Sequence, residues 1–402
     1  MKMLIANARG PKNMGDHAML KALLSLLKDN EDIVIHSSDK SYGLKGLEFT
    51  IRPTIYDWTI FDDRRVISRV NRLVLTSLTY LAYSNFKMIL RINGLENIVA
   101  DYQSADLIVF VGGGYLRTQK GLTQSLNLIM NLLLFQFAKK SRAKKIIAPI
   151  SFGPFAYRWQ ERLSANVLHG FDLVAVREKY SHEVLGKYKI KNLIKSVDLA
   201  LFLDMKKSKR VVANNEFILG FTIRKWLSKN EQEKFEQYFI DAIVAFSKGM
   251  DLTVLPIVQV DAPEYGDFDF ELTLDIAEKL RKENVKVRPI KRIKNFEKDV
   301  KIYGEIDLLL GMRMHSNILA AIQGTPFVAI SYEYKTEGIA TDLGVAEYCI
   351  KVRDITYEKL HLLLKKASEN RIHMISQMEK SLDEIRSKER KRWAEMLNQY
   401  AL

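Results

Sequence analysis

The sequence is poor in three features that would have placed it in a simple structural class. Cys349 is the only cysteine among 402 residues, which excludes an internal disulfide and a cysteine-based metal cluster. Only 8 prolines and 20 glycines are present, too few for a collagen-like or low-complexity body. The short apolar run after Met1 meets polar Asn7 and Arg9, and we therefore expect no secretory signal.

A long hydrophobic run is also missing. The longest uncharged stretch lies between Lys120 and Lys139, and six Ser, Thr, Asn and Gln residues interrupt it. Lipid would leave these polar groups without partners, so the stretch predicts a buried helix rather than a membrane span. We expect a cytoplasmic protein, either free in solution or peripheral at the inner face of the cell membrane.

Charge is abundant and unbalanced. Lys and Arg number 62 against 48 Asp and Glu, a formal net charge of +14. This excess favours an anionic partner: nucleic acid, an anionic membrane surface or a phosphorylated small molecule. The basic runs at 139–145 and 286–294 are scattered and carry no recognised nucleic-acid motif, so we predict no nucleic-acid partner.

Short apolar runs alternate with helical patterns, which predicts an α/β fold with two Rossmann-like domains facing across a cleft. The first domain is predicted at residues 1–205, with a helical insertion at about 57–100. The second is predicted at 216–402 and ends in a long helical region from Thr356 to Leu402, which packs on this domain and could cross back towards the first. The strands on which the site depends are predicted at Lys2–Ala6, Leu107–Val111, 217–223, Asp307–Leu310 and Phe327–Ile330.

Ligands of such sheets bind in the loops that follow the strands. After the first strand come Asn13, Gly15 and Asp16, and the Asp16 carboxylate is expected at or beside the start of a helix, where it could equally be a helix cap. Gly112-Gly113-Gly114 ends a buried strand and implies close approach of the backbone, either to a ligand or to packed chain.

The second half carries the cationic side chains. Arg224 ends the strand that begins near Phe217, and Arg313 and His315 follow the apolar run Ile306–Leu310. Two residues apart in an extended segment, Arg313 and His315 are expected to point the same way. Arginine binds carboxylate or phosphate through its planar fork, and histidine exchanges a proton near neutral pH.

Together, these motifs resemble the polysaccharide pyruvyl transferase family in their order from about residue 7 to about residue 345. The resemblance rests on Asn13-x-Gly15-Asp16, Gly112-Gly113-Gly114, Ser151-Phe152-Gly153-Pro154, Arg224, Arg313-x-His315, Gly324-Thr325-Pro326 and Tyr332-x-x-Lys335. It implies a GT-B-like pair of domains, phosphoenolpyruvate as donor and a pyruvate ketal on a sugar as product. It further implies that Arg224 and Arg313 bind the donor and that His315 is the catalytic acid.

The donor chemistry agrees with these residue types. Phosphoenolpyruvate carries about three negative charges, which cations would attract and orient. We therefore assign candidate catalytic roles to His315 and Asp16, and candidate substrate-binding roles to Arg224, Arg313, Lys335, Asn13, Gly15, Gly113 and Gly114. No metal and no cofactor is expected; phosphoenolpyruvate is a co-substrate, and the second partner is a saccharide, either lipid-linked or polymeric.

Two segments leave the acceptor open. Asp261–Glu271 could bind acceptor hydroxyls or supply a base, although an acidic loop of this kind is usually solvated. Asp57–Asn93 is basic and aromatic and matches no pattern of the family; it predicts either contact with an anionic membrane surface or an ordinary pair of inserted helices.

Two other functions remain open at this point. The first is a nucleotide-sugar glycosyltransferase of the GT-B fold, because a fold does not fix a function. It would require an acidic residue for a ribose, for which Glu337 is a weak candidate. The second is a non-enzymatic basic protein that binds nucleic acid or a membrane.

Overall fold

The chain forms two compact units. The computed structural model describes residues 1–8, 13–27, 32–37, 49–55, 74, 77, 95–208, 216–262, 267–293 and 295–401. Unit 1 comprises Met1–Pro11, Met19–Leu199 and Glu389–Leu402. Unit 2 comprises Lys12–Ala18 and Ala200–Lys388.

Unit 1 is built on a parallel sheet that has eight strands in the described residues, with order β3-β2-β1-β4-β6-β7-β8 and with β5 paired to β6. Its strands are β1 (Lys2–Ala8), β2 (Asp32–Ser37), β3 (Thr50–Pro53), β4 (Leu107–Phe110), β5 (Gly113–Leu116), β6 (Lys144–Phe152), β7 (Leu173–Val176) and β8 (Leu193–Lys195). The central strands are continuous apolar runs because helices cover both faces of a parallel sheet.

The described helices in the first half of the chain are α1 (Met14–Leu24), α2 (Leu95–Ser104), α3 (Leu122–Lys140), α4 (Arg158–Leu168) and α5 (Lys179–Gly186). Residues 14–18 of α1 belong to unit 2 and residues 19–24 to unit 1. Helix α3 contains the longest uncharged stretch of the sequence and buries Leu128, Leu134, Phe135 and Phe137, as the sequence predicts for a core helix.

Unit 2 contains a second parallel sheet, which has seven strands in the described residues, with order β13-β10-β9-β15-β16-β17 and with β14 paired to β10. Its strands are β9 (Phe217–Thr222), β10 (Leu252–Val258), β13 (Lys286–Val287), β14 (Lys291–Arg292), β15 (Leu308–Gly311), β16 (Phe327–Ser331) and β17 (Cys349–Lys351). A separate antiparallel pair joins β11 (Asp261–Ala262) to β12 (Asp267–Phe268).

Helices between these strands are α6 (Lys229–Ser247), α7 (Phe270–Lys282), α8 (Phe296–Asp299), α9 (Met314–Ile322) and α10 (Tyr334–Asp342). Three more helices follow β17: α11 (Tyr357–Glu369) and α12 (Arg371–Ile385) in unit 2, and α13 (Lys391–Ala401) in unit 1. Helix α9 buries almost its whole length because it packs on the sheet between β15 and β16.

Strand order determines where ligands bind in folds of this type. In unit 2 the order reverses between β9 and β15, since β10 and β13 lie on one side and β16 and β17 on the other. The corresponding reversal in unit 1 lies between β1 and β4. Parallel sheets of this kind bind ligands in the crevice at the carboxyl ends of the two strands at the reversal.

The two units differ from the predicted domains at both ends of the chain. Residues 12–18 belong to unit 2, and Glu389–Leu402 belongs to unit 1. The reason at the C-terminus is Trp393, which is fully buried and donates from its indole nitrogen to the Ser196 hydroxyl at 2.8 Å. Part of the predicted helical region does pack on unit 2: Leu360, Leu364 and Ala367 are buried there.

None of the helices in the described part of the chain is both long and apolar enough to span a bilayer. The segment Asp57–Asn93, for which the sequence predicts membrane contact or two inserted helices, lies outside the described residues except for positions 74 and 77.

Candidate active site

The carboxyl ends of β9 and β15 hold the candidate donor-binding arginines. Gly311 of β15 lies beside Thr222 of β9 in register, and Arg224 and Arg313 each follow two residues later. The Thr222 hydroxyl bonds that of Ser316 in helix α9 at 2.7 Å, which fixes the start of this helix against the neighbouring strand. The two arginines therefore come from the strand pair at which the sheet order reverses.

Arg313 is buried in a bidentate pair with Asp269. Its Nε donates to Oδ2 at 2.9 Å and its Nη2 to Oδ1 at 2.5 Å. The residues are only 6% and 1% exposed, so the two opposite charges compensate each other away from solvent. The expectation of a solvated acidic loop at Asp261–Glu271 is wrong for Asp269, because a buried carboxylate requires such a partner.

His315 lies at the amino end of helix α9. Arg313 is the N-cap residue, the helix begins at Met314, and the Ser316 hydroxyl donates to the Arg313 carbonyl. The expected extended segment through Arg313 and His315 is therefore wrong, since the chain turns helical one residue after the arginine. An amino end of a helix favours anionic ligands through its unpaired N–H groups and its dipole.

Residues 13–16 lie against His315 in unit 2. Asn13 caps helix α1: its side-chain oxygen accepts from the Gly15 N–H at 3.1 Å and its carbonyl from the His17 N–H. The Asn13 amide also donates to the Asp16 carboxylate at 3.0 Å. Asn13, rather than Asp16, is thus the cap, because its oxygen reaches the second N–H of the helix.

Gly15 has a steric reason to be glycine. A Cβ at this position would lie 2.0 Å from Nδ1 and 2.2 Å from Cγ of the His315 ring. The His315 imidazole therefore packs directly on the first turn of helix α1. The Asn13-x-Gly15-Asp16 motif forms part of the surface on which it packs.

We expect Gly15→Ala to lower the rate of the transfer reaction by about 10²-fold. The added Cβ would force the His315 imidazole to shift by more than an ångström. A displacement of this size in a reacting group typically lowers the rate by roughly that factor. Steady-state assays should show the loss mainly in kcat. Gly186→Ala is the matched control, since a Cβ there meets nothing within 4 Å. Full activity in Gly15→Ala would contradict this role for the glycine.

A third group of residues forms around Tyr332, which directly follows β16. The Arg224 guanidinium lies 5.0 Å above the Tyr332 ring, and its Nη1 donates to the phenolic oxygen at 3.2 Å. The Lys335 ammonium is 5.6 Å from the same ring centroid and pairs with Glu333 at 2.8 Å. Trp226 completes the group, with its ring 4.7 Å from that of Tyr332.

The pKa of Tyr332 reflects the positive charges of this group. Burial alone would raise the pKa of the phenol, but Lys335, Arg224 and Arg313 lower it to about 7. In the sequence, Tyr332 belongs to the Tyr332-x-x-Lys335 motif, which predicts no role for the phenol itself. Its position one residue past a central strand was the signal that could have singled it out.

The structure thus brings together two sets of predicted residues in unit 2. Gly15 lies against His315, with Asn13 and Asp16 in the same helical turn as Gly15. Arg224 and Lys335 lie at the Tyr332 ring, and the charge of Arg313 also acts on the phenol.

Gly113 and Gly114 lie on β5 of unit 1, just past β4, at the order reversal of that sheet. The neighbouring Gly112 is explained by packing, because a Cβ there would lie 2.3 Å from the Pro149 carbonyl oxygen.

The described residues contain no cluster of three or more His, Cys, Asp or Glu side chains that could hold a metal ion.

The family model for polysaccharide pyruvyl transferase matches residues 13–334. The chain belongs to the polysaccharide pyruvyl transferase family. The match begins at Asn13 and includes every unit 2 candidate residue except Lys335, which lies one position beyond it. Family membership identifies the protein as a transferase related to polysaccharides.

A curated relative supports the same assignment. The chain is 23% identical over 384 residues to the amylovoran biosynthesis protein AmsJ of Erwinia amylovora, across 88% of this chain and 89% of that protein. Both this pyruvyl transferase family member and AmsJ are thus aligned over nearly their full lengths.

Solved structures confirm the fold class of this family member. S. aureus MnaA, solved with UDP, aligns with a TM-score of 0.58 at 12% identity over 94% of this chain and 91% of its own. The UDP-GlcNAc 2-epimerase of Methanocaldococcus jannaschii gives 0.52 at 12% identity, over 91% and 92%. The glycotransferase of kitacinnamycin gives 0.54 at 12%, over 99% and 98%. At such identities the likeness shows the fold alone: two parallel-sheet α/β domains of the GT-B kind.

Proposed function

We propose that the protein transfers the enolpyruvyl unit of phosphoenolpyruvate to a sugar of an exopolysaccharide or its lipid-linked precursor, forming a pyruvate ketal and releasing phosphate. The observation that carries the proposal is the cationic group at the carboxyl ends of β9, β15 and β16, where Arg224 and Lys335 lie at the Tyr332 ring and the charge of Arg313 also acts on the phenol. A donor with a carboxylate and a phosphate suits such a site.

Arg224 and Arg313 have different roles in donor binding. Arg224 is half-buried and stacks on Trp226 and Tyr332, which leaves its charge at the edge of the group. Arg313 already holds Asp269 with one edge of its fork. We assign direct donor binding to Arg224 and Lys335, while Arg313 contributes its positive charge and orients the start of helix α9.

His315 supplies the proton that begins the reaction. Protonation of the donor's methylene carbon makes its neighbour, which bears the phosphate, electron-poor and open to attack by a sugar hydroxyl. Phosphate then leaves, and a second hydroxyl closes the ketal, so one donor and one diol give ketal and phosphate. Asp16 is the candidate carboxylate for the hydroxyl protons, since it lies in the helical turn on which His315 rests.

The acceptor contacts are proposed from the sequence. Gly113 and Gly114, at the order reversal of the unit 1 sheet, are candidates for contact with the saccharide. A lipid-linked acceptor would make contact between Asp57–Asn93 and an anionic inner membrane surface useful.

The decisive assay measures phosphate release from phosphoenolpyruvate with a panel of saccharide acceptors, and detects the ketal on the product by NMR. Acceptor-dependent release of phosphate with ketal formation is expected. Turnover of a UDP-sugar in place of phosphoenolpyruvate would instead favour the glycosyltransferase alternative, in which Glu337 would have to exchange its bond with the Ser331 hydroxyl for a ribose.

Arg224→Gln is expected to raise the Kd for phosphoenolpyruvate about 10- to 100-fold, because it removes a charge-assisted hydrogen-bond donor from the site. Lys225→Gln is the matched control: it removes the same charge from the next residue, which is exposed. Isothermal titration should show the change in the first variant alone. Equal affinities in the two variants would remove Arg224 from the donor site.

A further inference from the structure

Five large apolar side chains are exposed together on unit 1, and we refer to them as the apolar patch. They are Leu122, Tyr157, Trp159, Leu163 and Tyr180, whereas only five others are exposed in the rest of the described residues. All five lie at the N-cap or in the first two turns of α3, α4 and α5, which follow β5, β6 and β7 at the carboxyl edge of the sheet. Single apolar side chains are common on a protein surface, but a group of them marks an interaction site.

Hydrogen bonds and packing join the three segments into one surface. The Thr118 hydroxyl donates to the side-chain oxygen of Gln160 in α4, and the Gln160 amide nitrogen donates to the Ser125 hydroxyl in α3 at 3.0 Å. On the other side, a Cβ on Gly153 would lie 3.7 Å from the Tyr180 ring. The first turns of α3 and α4 are therefore fixed against each other, and Tyr180 lies beside the loop that leads into α4.

Helix α4 carries two rows of exposed side chains. Trp159 and Leu163, four residues apart, form an apolar row, and Arg158 and Arg162 form a basic row beside it. The helix covers the sheet with a different set of residues, which are Gln160, Ser164, Ala165, Val167 and Leu168. The outer face of an ordinary surface helix is polar, so the apolar row has no part in the core.

Basic side chains accompany the apolar patch at every helix start. Lys120, Arg158 and Lys179 are exposed, each within two positions of an exposed apolar side chain. Residues 117–125, 153–163 and 177–183 together contain six Lys and Arg against three Glu, a formal excess of +3. Such an excess attracts an anionic surface.

We propose that the apolar patch and its basic neighbours dock on an anionic lipid surface. Tryptophan and tyrosine rings suit the level of the lipid headgroups, where one edge is apolar and the other is wet. Arg158, Arg162 and the two exposed lysines pair with lipid phosphates, while Leu122 and Leu163 enter the boundary of the acyl chains. A saccharide would use the rings but would gain little from the two leucines, which is why we favour lipid as the occupant.

The first test measures co-sedimentation of the full chain with vesicles of phosphatidylcholine that contain about 30% phosphatidylglycerol. We expect wild type to bind them, to bind pure phosphatidylcholine vesicles more weakly, and to lose affinity as salt is raised. The double variant Trp159→Ser, Leu163→Ser should bind at least about tenfold more weakly, because it removes two side chains that would enter the interface. Leu362→Ser, Ile372→Ser is the matched control, since both residues are exposed apolar side chains of unit 2. Equal binding by the two double variants would overturn the proposal.

The second test uses tryptophan fluorescence to locate the contact. Phosphatidylcholine brominated on its acyl chains, mixed into the same vesicles, should quench part of the emission of wild type. This quenching should disappear in Trp159→Phe and persist in Trp58→Phe. Loss in Trp58→Phe alone would place the contact at Asp57–Asn93 and refute the role of the apolar patch.

Two other occupants of the patch would also be recognised. Failure to bind vesicles, together with a Trp159-dependent response to dextran oligosaccharides, would refute a lipid surface in favour of a saccharide. A lower molar mass of Trp159→Ser, Leu163→Ser in light scattering, with vesicle binding unchanged, would refute it in favour of a second copy of the chain. None of these measurements requires phosphoenolpyruvate, so the proposed function and the lipid contact can fail independently of each other.

Discussion

His315→Gln is expected to lower the kcat of pyruvyl transfer by about 10²–10⁴-fold, the usual loss when a positioned proton donor is removed. The imidazole lies at the first turn of α9 and rests on the backbone of Gly15, so its position is fixed from two helices. Glutamine retains much of the volume and can still hydrogen-bond, but it cannot transfer a proton to carbon. Donor affinity should therefore change far less than turnover.

Two comparisons make this prediction specific. His373→Gln, on the exposed part of helix α12, should keep full activity. The double variant Gly15→Ala, His315→Gln should be no slower than His315→Gln alone, because both changes remove the same function. Near-normal kcat in His315→Gln would return the residue to a structural role.

The sequence was most informative about strands and the loops that follow them. The predicted runs at Lys2–Ala6 and Leu107–Val111 are confirmed as β1 and β4, and Phe327–Ile330 as β16. Continuous apolar runs identify buried parallel strands because both faces of the sheet are covered. Since ligand-binding loops follow such strands, the residues after them could be selected without any structure.

Local geometry at the same loops was harder to predict. A spacing of two residues between Arg313 and His315 fits an extended chain, but it fits an N-cap followed by a helix equally well. The difference depends on two hydrogen bonds of the Ser316 hydroxyl, which donates to the Arg313 carbonyl and accepts from the Thr222 hydroxyl. Such bonds depend on tertiary packing, which local sequence patterns do not contain.

Contacts between residues that are far apart in the sequence could not be predicted from it. Asp269 stands 44 positions from Arg313, within a run of acids that looks solvated. Tyr332 lies 108 positions from Arg224, and Lys12–Ala18 is separated from the rest of unit 2 by the whole of unit 1 up to Leu199. A single sequence gives no measure of which distant residues meet, and these pairs determine how the charges of the site are shared.

Arg313→Ala is expected to lower the free energy of unfolding by about 3–5 kcal/mol, because it leaves the buried Asp269 carboxylate without its bidentate partner. Urea denaturation measures the loss, with Lys225→Ala as control, since the side chain of Lys225 is exposed and its removal should cost about 0.5 kcal/mol or less. The double variant Arg313→Gln, Asp269→Asn removes both charges at nearly constant shape and should recover most of the stability. In that background, unchanged affinity for phosphoenolpyruvate would mean that Arg313 serves Asp269 alone; weaker affinity, which we expect, shows that its charge also acts on the donor. A loss below about 1 kcal/mol in Arg313→Ala would contradict the buried pair itself.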